Sequence, residues 1–351
     1  MGARSQHAAR ALGSLVLSLI SACTDPGGAL DTDSEASTST DSDDTTGGVT
    51  YDCANLPGPW IRQLDGPIAA ADVAFDDQGN LVGSNTQDLF KTSSADGQPA
   101  LWVPGAAGRA AVRQLSDGRI AVVQEMFFRV LVFSPDGSSA VLASNLVYPF
   151  GLVEDLDGNI YIGDETRIVR VDAESGETEV WLDAPGFVSR WVSFDRDYDA
   201  LFVGGRSEVI YRVPLGPGGE AGEPIEWGTL PLFGDPGPAP PPNQGGGAGT
   251  KTDGEGPDES NERLALVDGL GVDACGNLYV AEFHSRGLYK IPAGGGAGEL
   301  FVGWEPFRYG HGLQWGSGIG DWSATSLYLP QPYNEFNVIE VEVGVPQKQQ
   351  P

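Results

Sequence analysis

Apolar and polar positions alternate in short runs along most of this chain, and no long stretch carries the 3.6-residue spacing of an amphipathic helix. One phrase recurs: "VAFDDQGNLVGSN", "VRQLSDGRIAVVQE", "LVEDLDGNIYIGDE", "VSFDRDYDALFVGG" and "GVDACGNLYVAEF". Each reads as a strand, a turn usually closed by glycine, and a second alternating strand. The turn residues Gly79, Gly118 and Gly158 stand 39 and 40 residues apart, and Asp199 follows 41 later. A third strand comes after each phrase ("DLFKTSS", "RVLVFSP", "RIVRVDA", "EVIYRVP", "GLYKIPA"). A fourth then ends in several copies with a tryptophan ("ALWVPG", "TEVWLDAP", "IEWGTL", "LFVGW").

Four strands at this period are the signature of a propeller blade, so the expected fold is an all-β, six-bladed β-propeller of four-stranded blades. Five units open near Ala71, Ala110, Phe150, Arg190 and Asp268, and a sixth, from His311, supplies three strands. "PWIRQL", residues 59–64, is expected to complete it, closing the ring three-plus-one with an N-terminal strand and removing exposed sheet edges. Trp102, Trp181, Trp227 and Trp304 are expected to pack between blades rather than to stack on a ligand. Residues 231–263 form a Pro/Gly-rich insertion between blades four and five, read as irregular: a passive loop by default, a lid as the alternative.

The ends change the picture from a bare domain to an exported one. Residues 1–22 combine Arg4 and Arg10 with an apolar run from Leu12 to Ile20 too short to span a bilayer, the layout of a signal peptide. "ISAC" resembles the lipobox of bacterial lipoproteins, which implies lipidation of Cys23 and anchoring to the cell envelope. Thr24, rather than Asp, after that cysteine favours the outer membrane by the same resemblance. Residues 23–48 carry seven acids, no Lys or Arg and almost nothing apolar, so an acidic, disordered tether is expected. The domain itself is read as residues 49–346, with a tail at 347–351.

Acidity continues into the domain. Of the formal net charge of −29, two arginines in the leader and seven acids in the tether leave −24 on residues 49–351. Such a surface repels phosphate backbones, so nucleic acid is not an expected partner. A small polar molecule or an envelope protein is, with the membrane met through the lipid alone and the propeller a monomer. Besides Cys23, only Cys53 and Cys275 remain, and in an exported chain two cysteines read as a disulfide. Cys275 falls in the turn between the first two strands of blade five. Cys53 lies six residues before the closing strand, which starts on the same face of the neighbouring blade, so the two sulfurs are expected to meet.

The repeated phrase, most specifically "VDGLGVDACGNLYVAEF", resembles the NHL repeats and the senescence marker protein/gluconolactonase family, over essentially residues 60–345. In those lactonases the resemblance implies a divalent metal at the centre of the binding face, activating water for lactone hydrolysis. Its ligands are a Glu from blade one, an Asn each from blades two and three, and an Asp from the Asp-Gly that opens blade five. Asp268 matches that Asp. The others depart from the pattern, with Ala71, Ala110 and Phe150 in the places of Glu, Asn and Asn. A hard cation wants several oxygen ligands, so no cofactor is expected, and calcium or zinc enters only under a lactonase alternative.

The same register sets Arg190, Asp268 and His311 on consecutive blades, with Glu282 and His284 near the same face. Two readings stand: an acid-base or anion-binding site to which Phe150 also contributes, or an ion pair that only bridges blades. Asp268 and His311 are the candidate catalytic pair. "DRDYD" and "DLDGN" imitate calcium loops but lack the required glycine and read as turns. Glu125, Asp164 and Glu282, at the ends of second strands, are expected to cap turns with Arg129, Arg167 and Arg286. The leading function is a non-catalytic, envelope-anchored binding propeller; the alternative is a hydrolase of lactones or esters using Asp268.

Overall fold

The structure, a computed structural model, describes residues 51–348 except 107, 174, 184–185, 232–264, 304–309 and 333–336. Cys23 with the leader and tether, nearly all of the 231–263 insertion, Trp304 and the end of the tail lie outside the described residues.

Six antiparallel sheets follow the forty-residue period. Blade one pairs Ala74–Phe75, Leu81–Ser84, Leu89–Thr92 and Pro99–Val103, and blade two pairs Val112–Gln114, Ile120–Gln124, Arg129–Phe133 and Ser139–Ala143. Blade three runs Pro149–Glu154, Ile160–Asp164, Arg167–Val171 and Thr178–Asp183, and blade four Trp191–Phe194, Ala200–Gly204, Val209–Pro214 and Ile225–Thr229. Blade five consists of Val267–Val272, Leu278–Glu282, Gly287–Ile291 and Glu299–Gly303. Blade six takes Gln314–Trp315, Ser326–Pro330 and Val338–Glu342 from the end of the chain and Ile61–Leu64 from near its start. Ile61–Leu64 lies antiparallel to Val338–Glu342, and Arg62 Nε donates to its cross-strand neighbour Glu340 at 2.8 Å.

Burial explains the sequence pattern strand by strand. The second strands, sandwiched between neighbouring blades, are buried along their whole length, and accordingly read as nearly continuous apolar runs such as "IAVVQ", "ALFVG" and "LYVAE". The outer strands Ser139–Ala143 and Thr178–Asp183 instead face water over most of their length. The core therefore lies between blades: Tyr161, Ile168 and Trp181 of blade three pack on Val192, Phe194 and Leu201 of blade four. Trp102 meets Phe133 of blade two edge-on, Trp181 donates to the Gly219 carbonyl of blade four, and Trp227 lies against Gly295 of blade five. Each outer-strand tryptophan among the described residues thus reaches the next blade.

One pairing is absent from the sequence pattern. Gly296–Ala297, before the outer strand of blade five, adds to blade four as a parallel fifth strand beside Ile225–Thr229. A Cβ at Gly295 would come within 2.5 Å of the Trp227 carbonyl, so the glycine-rich run there is what lets the two backbones approach.

Three of the turns on the face away from the inner-strand starts share one construction. Asp76, Asp155 and Asp273 each accept backbone N–H groups and the side-chain amide of the Asn four residues on, while Gly79, Gly158 and Gly276 take positive φ. The calcium-like "DLDGN" is such a turn. In "DRDYD" Tyr198 occupies the left-handed position at φ 59° and Asp195 instead receives Arg212 at 2.8 Å. On this face Cys53 and Cys275 form a disulfide with a Cα–Cα distance of 5.7 Å.

Hydrogen bonds between successive blades close the ring at the axis. Ala111 donates to the Phe150 carbonyl at 3.0 Å, Gly151 to Arg190 at 2.8 Å, Val267 to Gly205 at 2.9 Å, and Gly312 to Asp268. Val112 N donates to Asp72 Oδ2 at 3.0 Å, and His311 Nδ1 meets the Ala71 carbonyl at 2.8 Å, so blade one is tied to both neighbours.

Candidate functional site

Because each inner strand starts on the same face, the residues at or just before those starts converge on the axis whatever their distance in sequence. Phe150, Arg190, Asp268 and His311 are brought together there. Arg190 Nε donates to Asp268 Oδ1 at 2.8 Å, and its guanidinium lies over the Phe150 ring, 3.5 Å from the centroid. His311 Nε2 stands 3.3 Å from Asp268 Oδ2, an oxygen with no hydrogen bond of good geometry among the described residues. Asp268 is fully buried, whereas Arg190 and His311 keep a little exposure, 8% and 12% of their side chains.

Proton placement follows from the backbone. The Ala71 carbonyl accepts only, so His311 Nδ1 is the donor in that contact. Nε2 then faces the Oδ2 oxygen of Asp268. The arrangement is thus a guanidinium, a carboxylate and an imidazole brought together under an aromatic wall.

Glu282 and His284 are placed otherwise. Glu282 is fully buried, and its carboxylate accepts the backbone N–H groups of His284 and Ser285 in its own turn and of Leu266, just before the first strand of blade five. Burial raises this carboxyl above its ordinary range against those hydrogen bonds. His284 is exposed, and the Phe283 ring lies edge-on to both His284 and His311. Asp164 pairs with Arg167 across its turn at 2.7 Å and accepts the N–H groups of Val147 and Tyr148, just before the first strand of blade three, while Glu125 accepts the Arg109 N–H. Arg129 turns instead to Gln124 Oε1.

A metal of the kind the resemblance implies needs oxygen ligands that this ring lacks. Ala71, Ala110 and Phe150 offer none, and the Arg190 guanidinium occupies Asp268, so the residues do not fit the group. Among the described residues no three His, Cys, Asp or Glu side chains gather as a metal site.

Two features were not read from the sequence. Arg206, in the turn after the second strand of blade four, comes near Arg190 and Asp268. Although exposed overall, its guanidinium is held below its ordinary value by partial desolvation and by the Arg190 charge, against the attraction of Asp268. Deeper on the axis, Asp72 and Arg113 form a buried ion pair, and Arg113 also donates to the carbonyls of Val112 and Leu313. Burial raises the Asp72 carboxyl to about 7 despite Arg113. A signal existed for this pair: Asp72 directly follows Ala71, where the family has its Glu.

A cavity of about 60 Å³ opens at the far end of the axis, lined in part by Arg113, Gln114, Glu154, Tyr198 and Lys348. Its cations are already engaged, Arg113 by Asp72 and Lys348 by the Asp195 carbonyl and the Tyr198 ring. At the other end, Asp268 Oδ2 has no hydrogen bond of good geometry and stands 3.3 Å from His311 Nε2.

No protein-family model matches the sequence, and no curated protein matches it. The fold does have counterparts. A gluconolactonase from Xanthomonas campestris is 14% identical, covering 80% of this chain and 88% of its own, with a TM-score of 0.59. An auxiliary nutrient binding protein from Bacteroides ovatus is 13% identical over 81% of this chain and 76% of its own, TM-score 0.57. Virginiamycin B lyase from Staphylococcus aureus, at 12% identity, covers 81% of this chain and 99% of its own with a TM-score of 0.50. At such identities the likeness is one of fold, and the six-bladed propeller expected from the sequence is observed.

Proposed function

We propose that this chain is an exported, lipid-anchored propeller that binds a small polar molecule, without a metal, where its inner strands begin. The reading is carried by Asp268, held between Arg190 and His311 where the lactonase pattern would need a metal. The salt contact with Asp268 and the Phe150 ring beneath its guanidinium hold Arg190 in place, which lowers the ordering cost of binding a polar group. The recessed position of the trio suits a small molecule better than a flat protein surface. The auxiliary nutrient binding protein among the fold's counterparts is consistent with a binding role on this architecture, and fold alone decides nothing. The anchor rests on "ISAC" and the acidic segment after it; mass spectrometry of the mature N-terminus should find acylated Cys23.

Gluconate is a suitable first probe. Calorimetry on the whole mature chain should detect binding that Arg190→Gln abolishes while the melting temperature shows the variant folded. Equal binding by wild type and variant would refute the assignment.

A hydrolytic reading keeps one specific support, the His311–Asp268 contact, since an imidazole fixed through Nδ1 presents Nε2 for general acid-base work. Turnover of lactones or esters lost in His311→Gln would favour it over pure binding.

A further inference from the structure

Three hydrogen bonds lay the end of the described chain across the far face, away from the candidate site. Trp315 Nε1 donates to the Val345 carbonyl at 2.9 Å, Ala274 N to that of Pro346 at 3.0 Å, and Lys348 N to that of Val272 at 3.0 Å. The Lys348 residue is 5% exposed, and its side-chain nitrogen lies 3.6 Å from the Tyr198 ring centroid and 5.4 Å from that of Phe194. Those two rings, with Lys348 itself, also wall the cavity of about 60 Å³ at this end of the axis. The amine therefore stands at the cavity's edge.

The nitrogen donates to the Asp195 carbonyl at 2.7 Å rather than to a carboxylate, and a carbonyl accepts from a neutral amine as well as from an ammonium. The neighbouring carboxylates are taken elsewhere, Asp195 by Arg212 at 2.8 Å and Asp197 by Arg196 at 3.2 Å. Tyr198 stays a neutral phenol, its value raised by burial and by the Glu154 and Asp155 charges. Desolvation without a carboxylate in contact is the setting in which a lysine becomes a nucleophile. Burial, opposed by Asp195 and Asp197, brings this amine down to about 7. It thus holds a free lone pair near neutral pH, where an ordinary lysine does so in roughly one molecule in a few thousand.

We infer that Lys348 is a carbonyl-reactive amine, and that the far-face cavity admits a short, neutral hydroxyaldehyde to it. The nitrogen lone pair adds to the aldehyde carbon while the carbonyl π pair moves to oxygen, and one nitrogen proton passes to that oxygen to give a carbinolamine. The hydroxyl then leaves as water with the second nitrogen proton, and the C=N bond forms. One water needs about 10–15 Å³ of such space, so the cavity limits the aldehyde to about two or three carbons. Gln114, Ser193 and Gln314 in the wall offer amide and hydroxyl partners to its hydroxyl group, and Glu154 there disfavours an anionic carbonyl compound.

Two other lysines serve as references within the same molecule, Lys91, ion-paired with Asp76 at 2.8 Å, and the half-buried Lys290. The full mature chain is incubated at pH 7 with glycolaldehyde and sodium cyanoborohydride, which reduces the imine to a stable amine, and the sites are compared by peptide mass mapping. Lys348 should be labelled about tenfold or more faster than Lys91 or Lys290, and unfolding in guanidinium chloride should bring the ratios to about one. Glyoxylate, which is anionic, and benzaldehyde, which is too large, should each give a Lys348-to-Lys290 ratio about tenfold lower than glycolaldehyde does. A ratio near one with glycolaldehyde on the folded chain, a ratio unchanged by unfolding, or the same ratio with all three aldehydes would overturn the inference.

Discussion

The ammonium of Lys348 rests 3.6 Å from the centroid of the Tyr198 ring and donates to the Asp195 carbonyl at 2.7 Å. Its backbone N–H donates to Val272 of blade five, so the end of the described chain crosses the far face of the propeller and stitches blade five to blade four. Trp315 Nε1, donating to Val345, holds the same segment to blade six. The ring position of Tyr198, a left-handed residue where other blades use glycine, is thereby given a use.

Burial lowers the Lys348 amine to about 7, with Asp195 and Asp197 opposing the shift. The folded state therefore binds the proton more weakly than the unfolded chain. Below pH 7 both states are protonated and the full cost of burying the cation is present. Between pH 7 and about 9.5, below the range where tyrosines and unfolded lysines titrate, only the unfolded state keeps the proton, so this group makes stability rise with pH, by up to about 1.4 kcal/mol per unit. Urea denaturation across that window should show the rise in the wild type and lose it in Lys348→Met; parallel profiles would show that Lys348 does not titrate as described.

Arg113 binds three blades at the axis through Asp72, Val112 and Leu313. Arg113→Met would leave Asp72 buried without its partner and should cost about 3–5 kcal/mol in chemical denaturation. Adding Asp72→Asn should recover part of the loss, because the stranded charge is removed. A single variant as stable as wild type would contradict a structural role for the pair.

The Cys53–Cys275 bond spans 222 residues of sequence and pins the segment leading into the closing strand of blade six. Cys275→Ser should lower stability by about 2–4 kcal/mol. Non-reducing peptide mapping should recover the two cysteines as one linked pair, and two alkylatable thiols in the denatured exported protein would refute it.

Millimolar calcium or zinc should leave the melting temperature unchanged, since a ligand that binds only the folded state must raise it. A metal-dependent rise abolished by Asp268→Ala would restore the lactonase-type centre that Ala71, Ala110 and Phe150 argue against.

The fold was legible in sequence because a blade is a local object. Its two-residue alternation, its Asp-to-Gly turns and its forty-residue period all arise within one unit, so "DDQGN", "DLDGN" and "DACGN" announce the same hairpin wherever they stand. The convergence of Arg190, Asp268 and His311 was legible for a related reason: a repeat places equivalent positions on one axis, so the register of the strands is enough to bring them together. The disulfide followed from the cysteine count in a chain read as exported, together with strand direction and blade adjacency.

What only the tertiary structure decided depends on which way side chains turn and how closely backbones approach. Glu282 shares the register of the site, yet its carboxylate is taken up by the N–H groups of His284 and Ser285 in its own turn and of Leu266 before the first strand of blade five. Asp72 lies beside an expected ligand position but points inward to Arg113, because the buried cation is the stronger attraction. The parallel pairing of Gly296–Ala297 with blade four and the reach of Lys348 to Tyr198 join segments that no period relates. Repetition encodes what each blade does alike; contacts made once, between unlike segments, exist only when the ring has closed.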